Sequence, residues 1–121
     1  MPFEHFDRSK LKLQPLSQRT HDLDLRVMIN PDEKPQYTHP KIDILANRIV
    51  QAKEAGASVI VMMGGHVVRS GVAPCLIRLM EEGYITHFAL NGAAAIHDFE
   101  LALIGQTCES VAKYISEGQF G

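Results

Sequence analysis

The sequence predicts an α/β domain, a parallel sheet of few strands flanked by helices and preceded by a proline-rich N-terminal arm. Three observations carry this. After residue 40, apolar residues recur at helical spacing in several segments. Two β-branched apolar runs of strand length lie between those segments, and glycines mark the turns where one pattern gives way to the next. Helix and strand alternating across short turns imply βαβ units with right-handed crossovers. A chain of 121 residues closes one core and not two.

Residues 1–40 read as an extended arm. Pro2, Pro15, Pro31, Pro35 and Pro40 fall in it, each removing a backbone donor and restricting the residue before it. Its one regular patch, Leu23 to Ile29, alternates imperfectly and suggests an edge strand over 25–29. His5, His21 and His39 lie in this polar arm and are expected to be solvated.

Residues 41–121 read as the domain proper. Ile42, Leu45, Ile49 and Ala52 predict a helix with that stripe in the core, Pro40 near its first turn and Gly56 at its end. Ser58 to Met63 is a continuous apolar run, as a strand covered on both faces requires. Gly64-Gly65-His66 breaks it. A second helix spans about Val72 to Glu82, with Pro74 tolerated in its first turn and Gly83 as its stop. Thr86 to Leu90 is the next strand, and Asn91-Gly92 breaks it in turn. A third helix runs from about Ala94 to Ile104. A fourth starts at Thr107, whose hydroxyl can cap the amide of Glu109 or Ser110, and ends near Gly118. So thin a sheet has exposed apolar edges, which implies either a homo-oligomer or a piece of a longer protein.

The charge balance narrows the partners. Twelve Lys and Arg against 14 Asp and Glu give a net charge of −2, so there is no basic stripe for nucleic acid and no polybasic segment for an anionic membrane. No apolar run approaches the roughly 18 residues a membrane helix needs, and the N-terminus does not read as a secretory signal. Cys75 and Cys108 form no CxxC and read as reduced thiols, which fits a cytoplasmic protein.

Ligands of an open parallel sheet bind beyond the carboxyl ends of its strands. The first such end is Met63 to Gly71. There Gly64 and Gly65 allow close backbone approach, Arg69 can pair with an anion, and Ser70 can cap a helix or bond a phosphate oxygen. The segment is neither GxGxxG nor a P-loop, and an unliganded βα turn uses Gly-Gly equally well. The second end is Asn91 to Glu100. Small residues from Gly92 to Ala95 leave room for a ligand, and His97, Asp98 and Glu100 follow within one helical turn. A carboxylate beside an imidazole raises its basicity and fixes its tautomer, which suits acid–base catalysis with His97 and Asp98 as the catalytic pair. The same residues also suit a plain capped helix with acidic residues near its start. His66, His87 and His97 with Asp98 and Glu100 show no metal-ligand spacing, and no metal is expected.

Val59 to Met80 and Ile85 to Glu100 together resemble the deoxyhypusine synthase family. Ser70-Gly71 matches the end of its first loop, and His97-Asp98 falls where the family has consecutive acidic residues. The sequence His97-Asp98-Phe99-Glu100 and the ending Glu117-Gly-Gln-Phe-Gly121 look closer still to a bacterial branch of deoxyhypusine-synthase-like proteins with no assigned activity. The resemblance implies a Rossmann-like fold binding NAD, with Gly64, Gly65, His66, Ser70, Gly71, Asn91, Gly92, Ala93 and Asp98 around the cofactor. It further implies a homo-oligomer and a transferase that modifies a polyamine or related amine. The family's catalytic lysine segment is missing, so on this reading the chain is the N-terminal half of such a protein. Two rival readings stand beside it: a small hydrolase or lyase using His97 and Asp98, and a non-catalytic self-assembling module.

Overall fold

The computed structural model describes residues 5, 7–35 and 37–119. In chain order the elements are β1 (His21–Asp24), α1 (Ile42–Glu54), β2 (Ile60–Met63), α2 (Gly65–Arg69), α3 (Ala73–Glu81), β3 (His87–Leu90), α4 (Gly92–Ile104), β4 (Gln106–Glu109) and α5 (Val111–Ser116), with three short 3₁₀ turns before α1. β2 and β3 pair in parallel, Ile60 opposite His87 and Met63 opposite Leu90. β1 and β4 form a separate antiparallel pair, with His21 opposite Glu109 and Asp24 opposite Gln106. The architecture is α/β and Rossmann-like, built on two strand pairs rather than one wide sheet. No helix of the described residues is long and apolar enough to cross a membrane.

The core lies where α2 and α4 meet. Val68, Ala94 and Leu101 are buried together, with Met28 and Met63 packed against them. Two chain reversals hold the N-terminal segment to this core. Ile29 N–H donates to Gly71 O at 2.9 Å and Leu25 N–H to Gly105 O at 3.2 Å, and both glycines hold a left-handed backbone, at φ +81° and +68°. α4 is capped by Asn91, whose Oδ1 accepts from Ala94 N–H at 3.0 Å. Asn91→Ala should therefore cost about 1 kcal/mol in urea denaturation, the usual worth of an N-cap.

Several sequence expectations change here. The strand expected at 25–29 lies at His21–Asp24, and residues 25–27 form a 3₁₀ turn. The segment from Arg19 to Asp24 is therefore paired into the fold and is no loose arm. Thr107 opens no helix: it lies inside β4, and α5 starts at Val111. The Gly64–Gly71 loop contains a helix of five residues. The stripe of α1 is not core either, because Ile42 and Leu45 are 45% and 53% exposed. β2 is covered on one face only, leaving Ile60 and Met62 at 58% and 81%. Both departures have one physical cause. A two-stranded sheet is too narrow to cover a 13-residue helix and too thin to be covered twice.

Candidate functional site

α2 and α4 begin side by side at the carboxyl ends of β2 and β3, and the apposition leaves little space between them. A Cβ at Gly65 would meet His97 Cδ2 at 2.9 Å and Ala93 Cβ at 3.0 Å, and one at Gly64 would meet Asn91 Nδ2 at 3.1 Å. Glycine is required at Gly65 because the His97 ring lies on its backbone. Gly64, Gly65, Asn91, Gly92, Ala93 and His97 are thus brought together. Ser70 and Gly71 are not. They sit at the other end of α2, where Ser70 Oγ donates to Val67 O at 2.7 Å and Gly71 packs on Val27. His66 and Asp98 are exposed. Of the glycines in the two loops only Gly92 faces open space. At Gly64, Gly65 and Gly71 the space an added Cβ would take is filled by the protein itself.

Behind this junction His97 reaches a polar chain that crosses the molecule. Its Nδ1 lies 2.7 Å from Thr107 Oγ1, and Thr107 Oγ1 donates to Glu100 Oε2 at 2.6 Å. Glu100 Oε1 is ion-paired with Arg19, whose Nε donates to His21 Nε2 at 2.8 Å. Thr107 is fully buried, whereas the Glu100 and Arg19 side chains are 17% and 25% exposed. Burial pushes the Glu100 carboxyl up, but hydrogen bonds from Thr107 and Arg19 and the Arg19 charge together hold it below its ordinary value. Glu100 is therefore ionised at neutral pH. With its folded value depressed, its contribution to stability is present above its ordinary value of 4.5 and is lost as pH falls through the folded one. Thermal melts should show the domain weakening below about pH 4.5, and Glu100→Gln should flatten that part of the profile.

Cys108 borders the chain, with Sγ 3.9 Å from His97 Nδ1. It is the one non-glycine among the described residues with positive φ, at 60°, a conformation that costs roughly 1 kcal/mol or more. Burial pushes its thiol up, and the Arg69 charge offsets that only in part, which disfavours the thiolate form. Both cysteines are free. The N-terminal segment is tied down again at Thr20, whose N–H donates to Tyr114 Oη at 2.8 Å and whose hydroxyl accepts from Lys113 at 2.8 Å. Next to Arg19 and Glu100 lies an open groove of about 390 Å³, lined by Leu16, Ile96, Phe99 and Leu103 among others.

The sequence pointed to His97 and Glu100 but missed their partners. His21, expected to be solvated, is half-buried, with Nδ1 out of reach of solvent. His87, expected inside a strand, is exposed at the start of β3. Thr107 carried one available signal: Gln106 to Glu109 follows a helix-stopping glycine and contains a β-branched residue, which suits a strand; Arg19 carried none. Among the described residues no three His, Cys, Asp or Glu side chains group as a metal site.

Residues 43–118 match the model of a family described as arginine dihydrolase ArgZ-like, C-terminal, Rossmann fold. The comparisons with curated proteins and with solved structures return no match. The family match overturns the resemblance to deoxyhypusine synthase. With it goes the transferase assignment, and the amine substrate and NAD lose the support they drew from that family. The segments that suggested it, strand to glycine turn to helix repeated twice, are what any Rossmann-like fold needs at the carboxyl ends of its strands.

Proposed function

The chain belongs to the ArgZ-like arginine dihydrolase family of C-terminal Rossmann-fold domains, and we propose that it serves a hydrolase acting on arginine, with His97 as its proton-transfer group. The observation that supports this reading is the chain from His97 Nδ1 through Thr107 to Glu100, at 2.7 and 2.6 Å. It anchors one nitrogen of the imidazole and leaves Nε2 for chemistry. The Cδ2 edge of the ring lies against Gly65, beside the carboxyl end of β2, where ligands of such sheets bind.

Hydrolysis of a guanidinium group adds water to its carbon and breaks a carbon–nitrogen bond. The attacking water must lose a proton and the departing nitrogen must gain one. A neutral imidazole does both in turn, a contribution of about 10²–10⁴ in rate. Asp98, exposed one residue further along α4, offers a carboxylate to the cationic substrate. A cytoplasmic location belongs to the same proposal, supported by the two free thiols. Self-association does too, supported by Ile96, Phe99 and Leu103, which are 57%, 66% and 61% exposed along α4.

Ammonia release from arginine by the purified protein tests this. His97→Gln should lower kcat about 10²–10⁴-fold with KM little changed. Asp98→Asn should act mainly on KM. An unaltered rate in His97→Gln, or neither turnover nor calorimetric heat with millimolar arginine, would overturn the reading.

A further inference from the structure

Arg19 fixes the direction of every proton in the polar chain. A guanidinium only donates, so Glu100 Oε1 accepts from it. The ionised Glu100 carboxylate has no hydrogen to give, so the single hydrogen of Thr107 goes to Glu100 Oε2 at 2.6 Å. The Thr107 oxygen then has only lone pairs left for the His97 nitrogen 2.7 Å away, and that nitrogen must carry the hydrogen. We infer that Arg19, Glu100 and Thr107 hold neutral His97 in the Nδ1–H form with its lone pair on Nε2, and that Arg19 is a positioning residue supplied from outside the family match. The same reasoning applies to His21. Because Arg19 Nε donates to its Nε2 at 2.8 Å, it too carries its hydrogen on Nδ1, a buried atom with no partner among the described residues. The inference gains its use from the proposed reading, since a base needs that lone pair, but it rests on the hydrogen-bond geometry and the Arg19-paired, ionised Glu100.

Free histidine side chains in water favour the opposite form, with hydrogen on Nε2, so the two states are distinguishable. Nitrogen-15 NMR of the imidazoles, at a pH where they are neutral, should show His97 with hydrogen on Nδ1 in the wild-type protein. Glu100→Gln should invert it. Arg19 will claim the amide oxygen, the amide NH₂ will face and donate to Thr107, and Thr107 must then donate to His97 Nδ1. Adding Arg19→Leu to Glu100→Gln should undo the inversion, because the amide is then free to turn its oxygen toward Thr107. Thr107→Ser should keep the wild-type form and Thr107→Val should lose it, a second route should Glu100→Gln fail to fold.

Hydrogen on Nε2 of His97 in the wild-type protein would overturn the inference, as would no change in a folded Glu100→Gln. If the tautomers follow these expectations while His97→Gln leaves arginine hydrolysis untouched, the proposed function fails and the tautomer assignment stands.

Discussion

Gly71→Ala should be the most damaging methyl group that can be added to this domain. At φ +81° the added Cβ would lie 1.9 Å from Val27 O, 2.7 Å from Val27 C and 3.3 Å from Met28 Cα. All three are backbone atoms, so no rotamer change relieves the contact. Nor can residues 27–29 retreat freely, because Ile29 N–H donates to Gly71 O at 2.9 Å and Met28 packs on the core of Val68, Ala94 and Leu101. The left-handed backbone alone costs a side chain about 1–2 kcal/mol, and overpacking adds about 1–3. A total near 3 kcal/mol or more is a large part of the roughly 5–15 kcal/mol that holds a domain together. Urea denaturation should show the midpoint falling steeply or the transition vanishing. Gly92→Ala is the matched control, since nothing lies within 4 Å of its Cβ, and it should be close to neutral. Equal stabilities for the two variants would refute this account of the Val27 contact.

The same contact shows what was and was not legible in the sequence. The alternation of helix and strand was readable because it depends on local signals. Helical periodicity marked α1, the apolar runs marked β2 and β3, and Gly56, Gly83 and Gly105 mark where helices stop. Pairing was not readable. β1 and β4 are more than eighty residues apart, each only four residues long, and nothing local in either names the other as its partner. That is why Thr107, beside polar neighbours, passed for a helix cap. Burial was not readable either. Periodicity says which face of α1 is apolar, not how far other elements cover it, and here Ile49 and Ala52 are half-buried while Ile42 and Leu45 stay exposed. At the site, His97 and Glu100 were visible together because they lie three residues apart on one helix face. Thr107 and Arg19 arrive through the β1–β4 pairing, which the sequence conceals. The family itself was misread because the two glycine loops carry the signature of the fold more than of any one of its families.

Thr107→Val should separate the structural role of the polar chain from its chemical one. Valine matches the shape of threonine at this fully buried position but offers a methyl where the hydroxyl was. Glu100 Oε2 then loses its donor and His97 Nδ1 its anchor. The Glu100 side chain is 17% exposed, so water restores part of the loss, and the cost to stability should be about 1–2 kcal/mol rather than that of a buried unpaired charge. On the proposed function, activity should fall further. A partner that orients a reacting imidazole is typically worth about 10–100-fold, and without the hydroxyl His97 is free to move its hydrogen to Nε2 and lose its lone pair there. Thr107→Ser reverses the pattern. It keeps the hydroxyl and removes one methyl, costing about 1 kcal/mol of burial while leaving turnover within a few-fold of wild type. If packing at Thr107 were all that mattered, valine would be the milder change for ammonia release from arginine and serine the harsher. The opposite order is expected because the hydroxyl hydrogen is committed to Glu100, a commitment made by Arg19 across the β1–β4 pair.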